Sequence, residues 1–510
     1  MADQLAAPLL KMYNHRSQIR TPNLDKLAEK SVVFESAYCN SPLCAPSRMA
    51  MITGQLPSKI GSYDNACSIS SDTPTYAHYL RAAGYETALA GKMHFIGEQL
   101  HGYENRLTAD IYPADYGWSV NWDTPDTRLE WYHNSSSILQ AGPCVRSNQL
   151  DYDEEVMYKS KQFLYDHVRK GPGSRPFALT VSLTHPHDPY CIEQKYWDMY
   201  EDVDIELPEV QINEEDQDPH SKRLLHVCDL KGQNFSEAQI KRARRAYYGA
   251  VSYVDDCIGQ LLEVLEKCRL SDDTIVMFSG DHGDMLGERG LWYKMSYFEN
   301  SVRVPMLLSY PKSYQPHRVT ENVSTLDILP TLVDLVGTKL IPSLPMDGIS
   351  MMPHLRGNAG NDTVFAEYMG RAPFPPCHDP TWTMELFNLR NDPKELVNLA
   401  SSTDPEVRKV LKAFEDEAAQ KWDFEKITQD VLLCQRRRRF VAGALKQGRW
   451  ESWDYQVKEN SQDKYIRSHM DLDDLELRAR FPAVDDSGRE KIIGKDTFAV
   501  PHGQAGAHGQ

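Results

Sequence analysis

Cys44 stands at the head of a run, Ser41 to Gly54, in which Cys44, Pro46 and Arg48 occupy alternate positions. Pro46 suits the first turn of a helix, Arg48-Met49-Ala50-Met51 continues it, and Gly54 can end it. A cysteine at a helix start feels unpaired N–H groups and the positive end of the dipole. That setting favours a thiolate or a bound anion. Two further groups of polar residues follow apolar runs. Asp281 and His282 come directly after Thr274 to Phe278 and Ser279-Gly280, at what reads as the C-terminal tip of a central strand. His185 follows the strand-like run Phe177 to Leu183, and the prolines of THPHDP force an extended turn that displays the histidines. In an open α/β sheet such tips are where ligands bind. Taken alone, Lys92 and His94 read as loop charges after the strand Tyr85 to Ala90, and Asp3 as a solvated terminal residue.

The chain has 510 residues, 41% hydrophobic and 25% charged, as expected of a soluble protein with two or more domains or one large core and an appendage. A net charge of −17 disfavours nucleic acid as a partner. No apolar run reaches membrane-spanning length and no leader is visible. The 10 cysteines show no C-x-x-C spacing and read as reduced, so a cytoplasmic protein is expected. Arg436 to Arg439 reads as a solvated or subunit-contacting helix face.

The elements that must position these groups alternate strand and helix. Val32 to Phe34 reads as a strand running into the Cys44 loop, and Thr73 to Gly84 as an amphipathic helix. Asp153 to Arg169 and Ser236 to Cys268 read as longer helices, Phe177 to Leu183 as a buried parallel strand, and Val302 to Tyr310 as another strand. Between residues 101 and 150 aromatics gather without periodicity: Trp118, Trp122, Trp131, Tyr132 and His133. They suit either a packed loop core or a wall for a cationic substrate, since aromatic faces attract quaternary ammonium.

Cys44 to Gly54 matches C-x-P-x-R-x-x-x-x-x-G throughout and resembles the signature of type I sulfatases, of the alkaline phosphatase-like superfamily. Gly91-Lys92-Met93-His94 resembles their G-K-x-H element. The run from Asp281 to Lys294 resembles their metal loop, His282 replacing the commoner Asn. Within the family the chain is similar to choline sulfatases, through SPLCAPSR, GQLPSKIGSYDN, the DIYPADYGW stretch, SLTHPHDPY and the C-terminal SHMDLDDLE. The resemblance implies an α/β fold with a large, mixed, mostly parallel sheet flanked by helices, a smaller C-terminal α+β subdomain and a C-terminal extension. It divides the chain into a catalytic domain at 1–355, the subdomain at 356–445, the extension at 446–484 and a disordered tail at 485–510. Of the family's apolar first strand only the end is present, before Asp3, and residues 367–383 lack room for two strands usual there.

The resemblance also implies chemistry. Cys44 is oxidised to formylglycine by a formylglycine-generating or cysteine-oxidising enzyme. One hydroxyl of the hydrated aldehyde attacks sulfur, and the other expels sulfate as the aldehyde re-forms. Asp3, Gln4, Cys44, Asp281 and His282 surround a divalent ion. The mostly hard oxygen set suits Ca²⁺ first, with Mn²⁺ or Mg²⁺ as alternatives. Arg48 bonds the hydrate, Lys92 and Lys294 neutralise sulfate oxygens, and His94 or His185 protonates the leaving alkoxide. Trp131, Tyr132 and Asp473 are expected around the trimethylammonium group of choline-O-sulfate. A homo-oligomer, dimer or tetramer, is expected. Two other outcomes stay open: a phosphonate or phosphate ester hydrolase on the same fold, and an inactive chain lacking its first strand.

Overall fold

The computed structural model describes residues 1–510 except 125, 126, 130, 172, 342, 371–383, 450–452, 459–480, 483, 485–488 and 491–510. Nine strands order the core: β1 (Val32–Tyr38), β2 (Glu86–Gly91), β3 (Asn105–Arg106), β4 (Gly142–Cys144), β5 (Phe177–Ser182), β6 (Cys191–Glu193), β7 (Val276–Ser279), β8 (Met306–Ser309) and β9 (His317–Ser324). They form a four-stranded sheet in the order β7-β8-β1-β9, a three-stranded sheet β3-β2-β5, and the pair β4-β6. The three-stranded sheet is all parallel. In the four-stranded sheet β1 and β9 are parallel, while β8 runs antiparallel to both its neighbours. This is the mixed α/β architecture expected. The two larger sheets meet through Ala2, which bridges Leu183 and Gly280, parallel to both.

Local chemistry sets the helices as read. Thr75 and His78 form a capping box ahead of Tyr76–Ala82, and Ser236 and Gln239 do the same for the 31-residue helix Glu237–Lys267. The helix expected from Asp153 starts earlier, at Asn148, because the Ser147 hydroxyl accepts the Leu150 N–H and caps it. These long helices cover one face of the core, burying Tyr247, Val251 and Val254 against Tyr190 and Ile192. The Cys44–Thr53 helix and Ile328–Leu335 cover the other, around Phe34, Met49 and Ile52. The strand Phe177 to Leu183 differs from expectation. Phe177 to Val181 are only half-buried, and only the end of β5 at Ser182 is closed off. Beyond Met1 to Asp3, no described residue pairs with the β5 edge that faces β7.

Residues 356–445 carry two helices, Pro405–Lys421 and Phe424–Leu445, and among the described residues no strand. The arginine run on the second helix is not simply solvated. Arg438 is buried and pairs with Asp64 at 3.1 Å, while Arg436 and Arg439 grip Asp123 at 2.6 and 2.7 Å. Two acidic loops of the N-terminal part thus hold this helix in place. Farther on, the chain returns to the core: Trp453 packs on Tyr116 at 5.0 Å and Tyr455 lies under Arg106 at 4.6 Å.

Candidate active site

Cys44 begins its helix at 1% exposure, with its sulfur 3.1 Å from His282 Nε2 and 3.9 Å from Asp3 Oδ1. Asp3, Cys44, Asp281 and His282 present one donor atom each within 4.8 Å of one another. Each ligand is aimed by a second bond. His282 Nδ1 faces the Gly283 carbonyl at 3.0 Å, which leaves Nε2 as the lone-pair nitrogen. Asp281 Oδ1 accepts the backbone N–H groups of Gln4 and His282, both at 3.0 Å. Gly283 is required here, since a Cβ would come within 2.0 Å of the Asn300 carbonyl oxygen.

Buried cations balance the carboxylates. Arg48 bonds Asp281 Oδ2 through Nε at 2.9 Å and Asp3 Oδ2 through Nη2 at 2.8 Å. Its remaining N–H group reaches Ser182 Oγ at 2.8 Å and the Lys92 carbonyl. Lys92 Nζ is 2.6 Å from Asp3 Oδ2 and 4.8 Å above the Tyr112 ring. The loop after β2 is fixed by Asp110, whose Oδ2 accepts the N–H of both Met93 and His94 at 2.7 Å. Burial and the Cys44 sulfur push the Asp3 carboxyl up, yet Lys92, Arg48 and His187 together hold it well below the usual carboxylate range. Burial likewise opposes a charged Cys44, but Lys294, Lys92 and His282 outweigh it and depress the thiol. His94 is held neutral by burial and by Lys92. The donors are two carboxylates, a nitrogen and a depressed sulfur, all buried and converging. They fit a divalent cation, with Arg48 and Lys92 limiting the net negative charge.

The opposite wall comes from the turn after β5. His187 bonds the Cys44 sulfur and lies 2.8 Å from Lys294 Nζ through Nε2. Asp188 Oδ2 pairs with His133 Nδ1 at 3.0 Å, and the His133 ring stacks on Tyr293 at 4.4 Å. His133, His187 and Asp188 form a second convergent group within 4.8 Å.

The sulfatase family profile matches residues 1–338, and a profile described as choline sulfatase enzyme C terminal matches residues 429–481. The chain belongs to the sulfatase family. It is 44% identical over 482 residues to a choline-sulfatase of Rhizobium meliloti, spanning 91% of this chain and 94% of that one. It is 30% identical over 443 residues to an arylsulfatase of Clostridium perfringens, covering 79% and 90% of the two chains. Its fold is similar to that of a phosphonate monoester hydrolase of Agrobacterium radiobacter, with a TM-score of 0.63 at 19% identity over 82% of this chain and 94% of the other. The protein is therefore a sulfuric ester hydrolase, and the metal-competent cluster around Cys44 is where a sulfatase acts.

The geometry of this sulfatase site departs from the sequence reading at four places. His185 has its Nδ1 bound by Asp153 at 2.7 Å and its ring against Tyr253. The group from that turn at the sulfur is His187, two residues on. Arg48 is committed to Asp3 and Asp281 rather than open toward the nucleophile. Gln4 is tied into the wall, its Oε1 accepting from Lys294 at 2.5 Å and its Nε2 donating to Asp284 at 2.7 Å. Trp131, 39% exposed, stacks on Tyr132 at 4.4 Å, and the Tyr132 hydroxyl donates to the Gly370 carbonyl at 3.1 Å. Asp473 lies outside the described residues. Sequence reasoning placed His133 only within its aromatic stretch and did not single out His187 or Asp188. His187 and Asp188 lie inside the THPHDP turn, where the second histidine was the available signal.

Proposed function

We propose that this sulfatase hydrolyses choline-O-sulfate to choline and sulfate. One observation carries the reading of the bond: the Cys44 sulfur sits at the meeting point of two carboxylates, His282, and two lysines. The substrate rests on the 44% identical choline-sulfatase and the C-terminal profile match. Asp3, Asp281 and His282, with the residue at 44, would hold the divalent ion, Ca²⁺ suiting the oxygen donors best. When present, the ion supplies polarisation of a sulfuryl oxygen, and formylglycine at position 44, made by a cysteine-oxidising enzyme, supplies a nucleophilic hydrate.

The chain's own residues do the rest. Lys92 and Lys294 neutralise the sulfate oxygens from opposite sides. Arg48 keeps Asp3 and Asp281 ionised and aimed. His187, fixed by Lys294, would give a proton to the leaving oxygen, and His94, kept neutral, would help hold the substrate. Asp188 and His133 face the leaving-group side, with Trp131 and Tyr132 on the loop before them. Two exposed residues on the last helix, Leu433 and Phe440, stand seven apart on one face and suit an oligomer contact. No helix among the described residues is long and apolar enough to cross a membrane.

The test is a kcat/KM comparison of choline-O-sulfate with an aryl sulfate and a phosphonate monoester, on protein whose Cys44 conversion has been verified by peptide mass. Preference for choline-O-sulfate is expected. Preference for the aryl ester overturns the substrate, and preference for the phosphonate overturns the bond.

A further inference from the structure

The turn that carries Lys92 and His94 is held from behind. His94 is a non-glycine residue at φ +58°, a left-handed conformation that persists only where its surroundings fix it. One carboxylate does the fixing. Besides taking the Met93 and His94 N–H groups on Oδ2, Asp110 accepts the Tyr112 N–H on Oδ1 at 3.1 Å, and the Tyr112 ring lies under Lys92 Nζ. Both functional side chains of the turn thus depend on where Asp110 stands.

Asp110 in turn faces a buried cation. Arg106, at the end of β3, brings Nη2 to 4.0 Å from Asp110 Oδ2, the two side chains being 1% and 0% exposed. Its Nη1 donates to the Gly97 and Gln99 carbonyls at 3.2 and 3.4 Å, while Nε and Nη2 have no hydrogen-bond partner among the described residues. Ring faces do the rest of the holding. Phe95, next to His94, lies 5.7 Å from the guanidinium, and Tyr455 lies 4.6 Å from it. Tyr455 belongs to a distant stretch of chain that is tied down on this spot. Gly97 N donates to the Trp453 carbonyl at 2.6 Å, the Trp453 ring packs on Tyr116, and Gln456 N donates to Glu98 Oε1 at 3.3 Å. Tyr455 is itself only 8% exposed and covers the guanidinium. Such cover matters, because an ion pair at this spacing is about fourfold weaker in bulk water than inside a protein surface.

We propose that Arg106 and Tyr455 are positioning residues for sulfate-ester cleavage, and that Trp453 to Gln456 is the strap that keeps them in place. The Tyr455 ring keeps water off Arg106, Arg106 holds Asp110, and Asp110 holds the Lys92–His94 turn in its left-handed form. This role rests on the reading above that Lys92 and His94 meet the sulfate. It acts on the sulfate side alone, so it is blind to which alcohol leaves.

The experiment pairs steady-state kinetics on choline-O-sulfate and on an aryl sulfate with amide hydrogen exchange, using the full chain with its Cys44 conversion verified. Tyr455→Ala should lower kcat by about 3–10-fold on both esters and leave KM within about twofold. The same variant should speed exchange of the Met93 and His94 amides by about tenfold. The Lys92 amide, bonded to the Ser182 carbonyl, should not change and serves as the control. Tyr455→Phe keeps the ring and should restore both readouts. Arg106→Met keeps most of the bulk, removes the charge and should lower kcat by about tenfold or more. Unchanged exchange at Met93 and His94 in both Tyr455→Ala and Arg106→Met overturns the strap. So does a Tyr455→Phe variant as impaired as Tyr455→Ala, or a kcat loss confined to choline-O-sulfate, which would put the strap at the leaving group. Faster exchange with kcat unchanged on both esters supports the strap and overturns instead the placing of Lys92 and His94 at the sulfate.

Discussion

The two walls of the active site are built differently. On the sulfate side Asp3, Arg48, Lys92, Asp281 and His282 are each at most 1% exposed, and both carboxylates have more than one donor. On the leaving-group side His133 is about a fifth exposed and Trp131 more so. Beside the His133–Asp188 pair, its bonds include one from Tyr293 to the Asn134 loop carbonyl at 2.5 Å. Under the proposed function, a buried, over-determined cluster fixes which bond is cut. A loop-borne aromatic wall can change the alcohol that leaves without disturbing the chemistry. Arylsulfatase and choline-sulfatase relatives of one fold are what that division allows.

The contrast can be broken from either side, the sulfate side giving the larger effects. Cys44→Ala should lower kcat by about 10⁴-fold or more, in the range of nucleophile knockouts, with Ca²⁺ binding weakened and the fold kept; residual turnover near wild type would remove Cys44 from the chemistry. Arg48→Met leaves Asp3 and Asp281 facing each other. It should cost about 3–5 kcal/mol in urea unfolding, and added Ca²⁺ should recover part of that. An unchanged midpoint without metal would mean the carboxylates need no guanidinium.

His187→Ala should cut kcat by about 10²–10⁴-fold with little change in stability, as for loss of a general acid. His185→Ala should do the reverse, costing about 1–3 kcal/mol through the lost ring bond to Asp153 and the space left beside Tyr253, while kcat stays within a few-fold. If His185→Ala gave the catalytic loss instead, the assignment from this turn would be inverted. The smallest effect is expected at the outer wall. Trp131→Ala should raise KM for choline-O-sulfate by about 2–5-fold, the size of an exposed cation–π contact, and leave an aryl sulfate unaffected.

What the sequence disclosed follows the same division. The Cys44 helix start, the strand tip at Asp281 and His282, and the Lys92–His94 pair were legible because each is a local pattern with a fixed consequence: a cap, a tip, a short spacing. His185 and His187 were not separable, because they are two residues apart in a turn. Which ring reaches the sulfur depends on Asp153, contributed by a helix more than thirty positions upstream. Arg48 was visible as a charge, but not as a clamp between residues from the chain start and from β7. The half-burial of β5 was illegible for the opposite reason: the run is apolar, and only the tertiary arrangement reveals that, among the described residues, one edge is paired by Met1 to Asp3 alone.

Under the formylglycine chemistry proposed above, the seclusion of Cys44 sets a schedule for its maturation. A sulfur at 1% exposure under a helix start gives another protein's active site nothing to grasp. An enzyme that oxidises this residue must therefore catch Ser41 to Gly54 while the segment is still slack, on or soon after leaving the ribosome. Molecules that fold first keep their thiol for life, so a preparation should divide into two permanent populations. Incubating the folded thiol form with the oxidising enzyme should convert none of it, and conversion after a cycle of unfolding would mark the moment at which the window closes.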